Sequence, residues 1–140
     1  MNLSEELKSY TEQLTVLYVE DEEDTRNQIS QILGIFFKNV IVGINGLDAL
    51  EKYKENPEQI DLVMTDLTMP KMDGLSMIKN IRDIDLNQHV IVLTAHNSSE
   101  NLMETIDLQI DGFLLKPVRM NKMIELLLKI TKVITLEKKS

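Results

Sequence analysis

The chain has 140 residues with 23 acidic and 15 basic side chains, so its formal net charge is -8 at pH 7. This length suits one domain with an ordinary core, and the acidic balance argues against a nucleic-acid-binding surface. The absence of cysteine excludes disulfides, thiolate metal sites and a cysteine nucleophile. Because no signal peptide and no apolar run of ~18 residues is present, we expect a soluble cytoplasmic protein without a membrane contact.

The N-terminal segment predicts a short helix followed by a buried strand. Ser4 is a suitable N-cap for that helix, and Glu5 and Glu6 would lie in its first turn. Residues 16–19 form a short, mostly β-branched run that ends in two carboxylates. One narrow apolar face of this helix would consist of Leu3, Leu7, Tyr10 and Leu14.

From Glu22 onwards, helical and strand-like patterns alternate. The further apolar runs cover residues 40–44, 60–65, 90–93 and 113–115. Each is followed by a helical pattern, the last two spanning about residues 98–109 and 120–137. Five short strands alternating with five helices are typical of a parallel sheet covered on both faces. We therefore expect a doubly wound α/β fold with an extra short N-terminal helix.

Polar side chains follow four of the predicted strands. Because the carboxyl ends of parallel strands share one edge of a sheet, we expect these side chains to meet there. Carboxylates packed together repel one another unless a cation lies between them. Oxygen ligands of this kind suit Mg²⁺, which commonly shares its shell with a phosphate. The side chains are Glu20 and Asp21 after the first strand, Asp66 after the third, Thr94 after the fourth and Lys116 after the fifth.

Asp66 stands at the mouth of a buried strand, before a loop whose course is restricted. Met69-Pro70 limits the backbone, and Asp73-Gly74 is a turn pair ahead of a helix. The pattern predicts an acidic nucleophile or a metal ligand, with a turn-capping aspartate as the alternative. Acid-nucleophile phosphatases need a second aspartate two residues further on. Thr68 occupies that position, so we do not expect an enzyme of that class.

Taken together, the motifs resemble the receiver domain of response regulators in two-component signalling. The resemblance covers about residues 15–137, so we assign residues 1–14 to an N-terminal helical extension and 15–140 to the receiver domain. It implies a flavodoxin-like sheet with strand order 2-1-3-4-5. The matching pieces are Glu20-Asp21, Asp66 in Asp-Leu-Thr-Met-Pro-Lys-Met-Asp-Gly, Thr94-Ala95, Phe113 and Lys116-Pro117.

The resemblance also implies a role for each site residue. Asp66 would accept a phosphoryl group from a histidine kinase or a phosphotransfer protein, and Lys116 would contact the phosphate. Thr94 and Phe113 would form the switch pair. The alternative is a receiver-like interaction module that works without phosphate. The implied Mg²⁺ ligands are Asp21, Asp66, the Thr68 carbonyl and, through water, Glu20.

Some positions depart from the family pattern or carry an open role. Gln109-Ile110 stands where Gly-Ala is common, so the preceding helix must end without glycine. Thr68 and His96 occupy positions that flank the approach of hydrolytic water, although His96 is equally well explained as an exposed loop residue. We interpret His89 as a surface residue before a strand.

The last helix carries more apolar width than one sheet face requires. Its apolar arc spans roughly 220°, against the ~100° that such a helix needs. Leu126 and Val133 lie outside the core face on one flank. We expect these two residues to contact a second copy or an output segment. The predicted core face consists of Met120, Met123, Ile124, Leu127, Leu128, Ile130 and Ile134.

Overall fold

Five parallel strands form one sheet through the middle of the fold. The computed structural model describes residues 1–95 and 99–139, and of residues 99–102 it describes only the backbone. The strand order is β2-β1-β3-β4-β5, which confirms the prediction. The strands are β1 (Thr15–Val19), β2 (Asn39–Gly43), β3 (Leu62–Asp66), β4 (His89–Thr94) and β5 (Gly112–Leu115).

Helices cover both faces of this sheet, so the doubly wound α/β arrangement is confirmed as well. One core layer lies under α1, α2 and α6, and the other lies under α3 and α4. None of the helices in the described part of the chain is both long and apolar enough to cross a bilayer. The helices are α1 (Leu3–Thr11), α2 (Glu23–Phe36), α3 (Gly46–Glu55), α4 (Gly74–Ile84), α5 (Ser99–Asp107) and α6 (Met120–Lys138).

The central strands are mostly apolar because both of their sides are buried. Val16 and Tyr18 of β1 point into one core layer, whereas Leu17 and Val19 point into the other. All residues of β1 and β3 are buried, and burial of each large apolar side chain contributes about 1.5–3 kcal/mol. The edge strand β2 is partly exposed. These strands form a rigid support for the residues at their carboxyl ends.

Helix α1 differs from its prediction at both ends. Its N-cap is Asn2, whose side chain accepts from the Glu5 N–H at 2.8 Å, and not Ser4. Leu3 is 51% exposed. Leu7 is fully buried against α2 and α6, and Leu14 is buried although it lies beyond the end of the helix. The N-terminal segment therefore contributes to the hydrophobic core of the domain.

The core face of α6 was predicted correctly except at its first residue. Of the two flank residues, one is half-buried and one is exposed. Met120 is 45% exposed and not part of the core. Leu126 is half-buried because it packs on β5, where a Cβ at Gly112 would lie only 2.8 Å from the Leu126 Cδ1 atom. Val133 is 44% exposed. Both residues thus lie outside the buried core face, and Val133 is the more exposed of the two.

His89 is not the surface residue that the sequence suggested. It is the first residue of β4, and its ring lies between the carboxylates of Asp111 and Glu137. The last turn of α6 reaches the start of β4 and covers the ring. After α5, Gln109 adopts a left-handed conformation with φ 59°. The helix thus ends without glycine, as the sequence required.

Candidate functional site

The carboxyl ends of four strands bring the predicted polar side chains to one edge of the sheet. Asp66 is the last residue of β3 and Thr94 the last of β4, while Glu20 and Lys116 directly follow β1 and β5. Strand pairing places Asp66 beside Leu93, and the Lys116 N–H donates to the Thr94 carbonyl at 2.9 Å. This edge is therefore the candidate functional site.

The ammonium group of Lys116 joins two carboxylates at the centre of the site. Its Nζ atom lies 2.9 Å from Glu20 Oε1 and 2.6 Å from Asp66 Oδ2. Burial alone lowers the pKa of Lys116. The hydrogen bonds that its ammonium donates to Asp66 and Glu20 outweigh this effect and hold the pKa above its usual range. Because Glu20 is 1% exposed, the lysine neutralises a carboxylate that water scarcely reaches.

Three carboxylates of the site are close enough to share a divalent cation. Glu20, Asp21 and Asp66 each offer an oxygen atom, and these atoms lie within 4.8 Å of one another. Asp21 is exposed, whereas the other two are buried. The oxygen-only donors and the open side at Asp21 fit Mg²⁺, which binds few carboxylates and keeps several waters.

Backbone groups and one arginine fix the orientation of these carboxylates. Asp66 Oδ1 accepts from the Leu67 N–H at 3.0 Å, and Glu20 Oε2 accepts from the Glu22 N–H at 3.2 Å. Arg26 donates through Nη1 to the carbonyl oxygens of Glu20 and Asp21, at 3.1 and 3.3 Å. Arg26 was not predicted as a site residue, because an arginine near the start of a helix carries no distinguishing signal.

The loop between β3 and α4, residues 67–73, folds tightly against the end of β3. The Gly74 N–H donates to the Leu67 carbonyl at 2.8 Å, and a Cβ at Gly74 would collide with the Asp66 carbonyl oxygen. Asp73 caps α4 by accepting from the Ser76 N–H at 2.8 Å. Thr68 is exposed on this loop. The Asp-Gly turn pair thus serves both the helix start and the close approach to Asp66.

The two residues of the implied switch pair lie on neighbouring strands. Thr94 is 2% exposed, and its hydroxyl donates to the Ala95 carbonyl at 3.3 Å. Phe113 is half-buried and packs against the core layer under α3 and α4. A cavity of about 400 Å³ lies beside Phe113, Leu115 and Lys116. His96, whose role the sequence left open, lies outside the described residues.

Fold and site together define a receiver-type signalling domain, and the chain belongs to the response regulator receiver domain family. The family model matches residues 16–128. The chain is 33% identical over 111 residues to the chemotaxis protein CheY of Treponema pallidum, a stretch covering 79% of this chain and 77% of that protein. The protein is thus a CheY-like receiver domain of two-component signalling. Helix α1 lies before the matched residues.

Solved structures resemble the fold over most of the chain. A response regulator receiver domain protein from Clostridium thermocellum gives a TM-score of 0.80 at 27% identity, covering 88% of this chain and 98% of that one. A chain of the CheX–CheY–BeF3–Mg²⁺ complex from Borrelia burgdorferi gives a TM-score of 0.77 at 30% identity, covering 84% of this chain and 88% of that one.

Proposed function

We propose that Asp66 accepts a phosphoryl group from a histidine kinase or a phosphotransfer protein, and that the domain acts as a phosphorylation-controlled switch. The observation that carries this proposal is the Lys116 ammonium, held at 2.6 Å from Asp66 and 2.9 Å from Glu20. A fixed cation beside a nearly buried carboxylate suits a site that receives an anionic group.

In the transfer step, a carboxylate oxygen of Asp66 forms a bond to phosphorus. The bond between phosphorus and the donor's histidine nitrogen breaks, and its electron pair stays on that nitrogen. The Leu67 N–H orients the acceptor through Asp66 Oδ1. Lys116 already contacts Asp66 Oδ2. Its ammonium can therefore change its partner from the carboxylate to a phosphoryl oxygen as the phosphoryl group is transferred.

Asp21, Asp66 and the Thr68 carbonyl would hold Mg²⁺, with Glu20 acting through water. When bound, Mg²⁺ neutralises charge shared by the carboxylates and the phosphoryl oxygens. Glu20 and Asp66 then no longer depend on Lys116 alone for a positive partner. The BeF3 and Mg²⁺ in the similar structure from Borrelia burgdorferi support this assignment.

The switch would begin at Thr94. Its hydroxyl gives up the hydrogen bond to the Ala95 carbonyl and donates to a phosphoryl oxygen, which leaves space beside β4. Phe113 is half-buried at the neighbouring strand and turns further inward. The exposed apolar residues nearby then form the responding surface for a second copy or an output segment. They are Met103, Ile106, Leu115 and Val133.

The test is the intact mass of the protein after incubation with a small acyl phosphate, with and without EDTA. We expect one added phosphoryl group in the presence of Mg²⁺ and none with EDTA. Asp66→Asn should remain unlabelled. Asp73→Asn is the matched control, because it lies seven residues away and asparagine can still cap α4. Equal labelling of Asp66→Asn and the parent would overturn the assignment of Asp66, and a parent that takes no label would favour the phosphate-independent module.

A further inference from the structure

The turn between β2 and α3 meets the backbone of loop 67–73 at Gly46. The Gly46 N–H donates to the Met72 carbonyl at 3.0 Å. A Cβ built at Gly46 would lie 2.9 Å from the Met72 carbonyl carbon, and nearer still to its oxygen. Real Cβ atoms essentially never come within 3.0 Å of such atoms. Any side chain at position 46 would therefore push the turn and the loop apart, because neither partner is a flexible side chain.

The turn is itself held rigidly. Asn45 is 6% exposed, and its side chain accepts from the Asp48 N–H at 2.8 Å. Asp48 Oδ2 in turn accepts from the Ile44 N–H at 3.0 Å and pairs with Lys52 at 3.1 Å. These interactions close the turn on the first residues of α3. Because these bonds also hold the turn in place, a side chain at position 46 would displace the loop and not the turn alone.

The last residue of β2, just before this turn, contacts the acidic residue after β1. The Gly43 carbonyl accepts from the Glu20 N–H at 3.1 Å. Loop 67–73 is tight as well, because the Met72 N–H donates to the Pro70 carbonyl at 2.8 Å while Lys71 has φ 67°. The β2–α3 turn thus contacts, through Gly46 and Met72, the loop that carries Thr68.

We propose that Gly46 is a positioning residue for the divalent-cation site. Its N–H and its missing Cβ set where loop 67–73 lies, and with it the Thr68 carbonyl. Gly46 contributes no ligand of its own. This inference rests on the proposed function, since it requires that Asp21, Asp66 and the Thr68 carbonyl bind Mg²⁺.

The test is Mg²⁺ binding to the full chain carrying Gly46→Ala, followed by backbone amide shifts in an NMR titration. We expect the affinity for Mg²⁺ to fall about 10-fold or more, the range found when groups that orient metal ligands are disturbed. Phosphorylation by a small acyl phosphate should recover at saturating Mg²⁺, because the loss lies in cation affinity. Because partial unfolding would also lower the apparent Mg²⁺ affinity, the amide spectrum without Mg²⁺ has to show that Gly46→Ala is folded.

Gly34→Ala is the matched control, because a Cβ at Gly34 on α2 meets no atom within 4 Å. It should bind Mg²⁺ like the parent. A Gly46→Ala variant that binds Mg²⁺ as tightly as the parent would overturn the inference while leaving the proposed function intact. A parent that binds no Mg²⁺ would overturn both.

A second measurement needs no variant and decides the question if Gly46→Ala does not fold. In the parent, the Gly46 amide should shift during the Mg²⁺ titration with the same midpoint as the Thr68 and Met72 amides. Its hydrogen bond to Met72 transmits the rearrangement of the loop. A Gly46 amide that stays unshifted while the Thr68 amide moves would contradict the inference.

Discussion

At the scale of single residues, Lys116 and Tyr18 show how differently a buried polar group can be satisfied. Lys116 has two carboxylate partners within hydrogen-bonding distance. The hydroxyl of Tyr18 is fully buried and has no hydrogen-bond partner among the described residues. Burial, with the charges of Glu20 and Asp66 adding to it, raises the pKa of Tyr18, so the phenol stays neutral.

We expect Lys116→Ala to destabilise the Mg²⁺-free protein. The substitution leaves Glu20 and Asp66 close together without a positive partner, at a cost on the order of 1–3 kcal/mol for this partly exposed lysine. Added Mg²⁺ should stabilise the variant more than the parent. Urea unfolding of both proteins with and without Mg²⁺ measures this, and Lys129→Ala on α6 is an exposed-lysine control. An equal Mg²⁺ effect on both proteins would count against the charge argument.

Tyr18→Phe should be neutral or should stabilise the protein by up to ~1 kcal/mol. The change removes a buried hydroxyl without a partner, whose desolvation is not compensated, and keeps the ring in the core. Tyr53→Phe is the matched comparison, since the Tyr53 hydroxyl donates to Gln88 at 2.9 Å and its loss should destabilise the fold. Urea unfolding ranks the three proteins, and a clear loss for Tyr18→Phe would mean that the hydroxyl has a partner after all.

At the scale of elements, the last turn of α6 is tied to the start of two strands. His89 Nε2 lies 2.6 Å from Glu137 and Nδ1 lies 2.9 Å from Asp111. Asp111 also accepts from the Val90 N–H at 2.7 Å. Next to this cluster, Lys138 pairs with Asp61 at 2.8 Å. The end of α6 is thus fastened mainly by charge.

This arrangement predicts a pH dependence of stability. The hydrogen bond to Asp111 raises the pKa of His89, and burial lowers it. The hydrogen bond to Glu137 raises it further, so that the pKa of His89 is about 9. Because this folded-state pKa exceeds the unfolded value of about 6.5, the stabilisation is complete below pH ~6.5 and is lost as pH rises through about 9. We expect a loss on the order of 1–2 kcal/mol, since Glu137 is exposed.

Urea unfolding of the parent and of His89→Gln at pH 6 and pH 10 tests this expectation. The parent should lose the additional free energy of unfolding at high pH, whereas the variant lacks the titrating group. Similar losses in both proteins would show that other groups cause the pH dependence.

At the scale of the whole molecule, Val133 offers a direct test of the proposed responding surface. We expect Val133→Glu to block association in the presence of a phosphate mimic and to leave the fold intact, because the residue is 44% exposed. Ile35→Glu is the matched control, since Ile35 is 63% exposed but lies on α2. Light scattering with and without the mimic gives the oligomeric state. A parent that stays monomeric in both states rules out the dimer and leaves a heterologous partner.

The alternation of strands and helices was enough to predict the sheet and to place Glu20, Asp66 and Lys116 at one edge, because parallel topology makes that placement almost inevitable. Sequence reasoning failed where burial depends on residues far away in the chain. Leu126 is half-buried because it packs beside Gly112, which lacks a side chain, and His89 is partly covered because α6 extends to Lys138. Helical periodicity does not reveal such contacts between distant parts of the chain. The same applies to the contact between Gly46 and Met72.

Helix α1 has its main partner at the opposite end of the chain. Glu6 pairs with Lys132 at 3.2 Å, and the Lys132 ammonium lies 5.8 Å from the centre of the Tyr10 ring. During synthesis, residues 1–14 are made long before α6, so they can meet α2, where the Thr11 hydroxyl donates to the Phe36 carbonyl at 2.8 Å, before they meet α6. Contacts between such distant residues form slowly, because a long loop must close first. Helix α1 therefore completes its packing only once α6 has been made, and part of its apolar surface stays exposed until then.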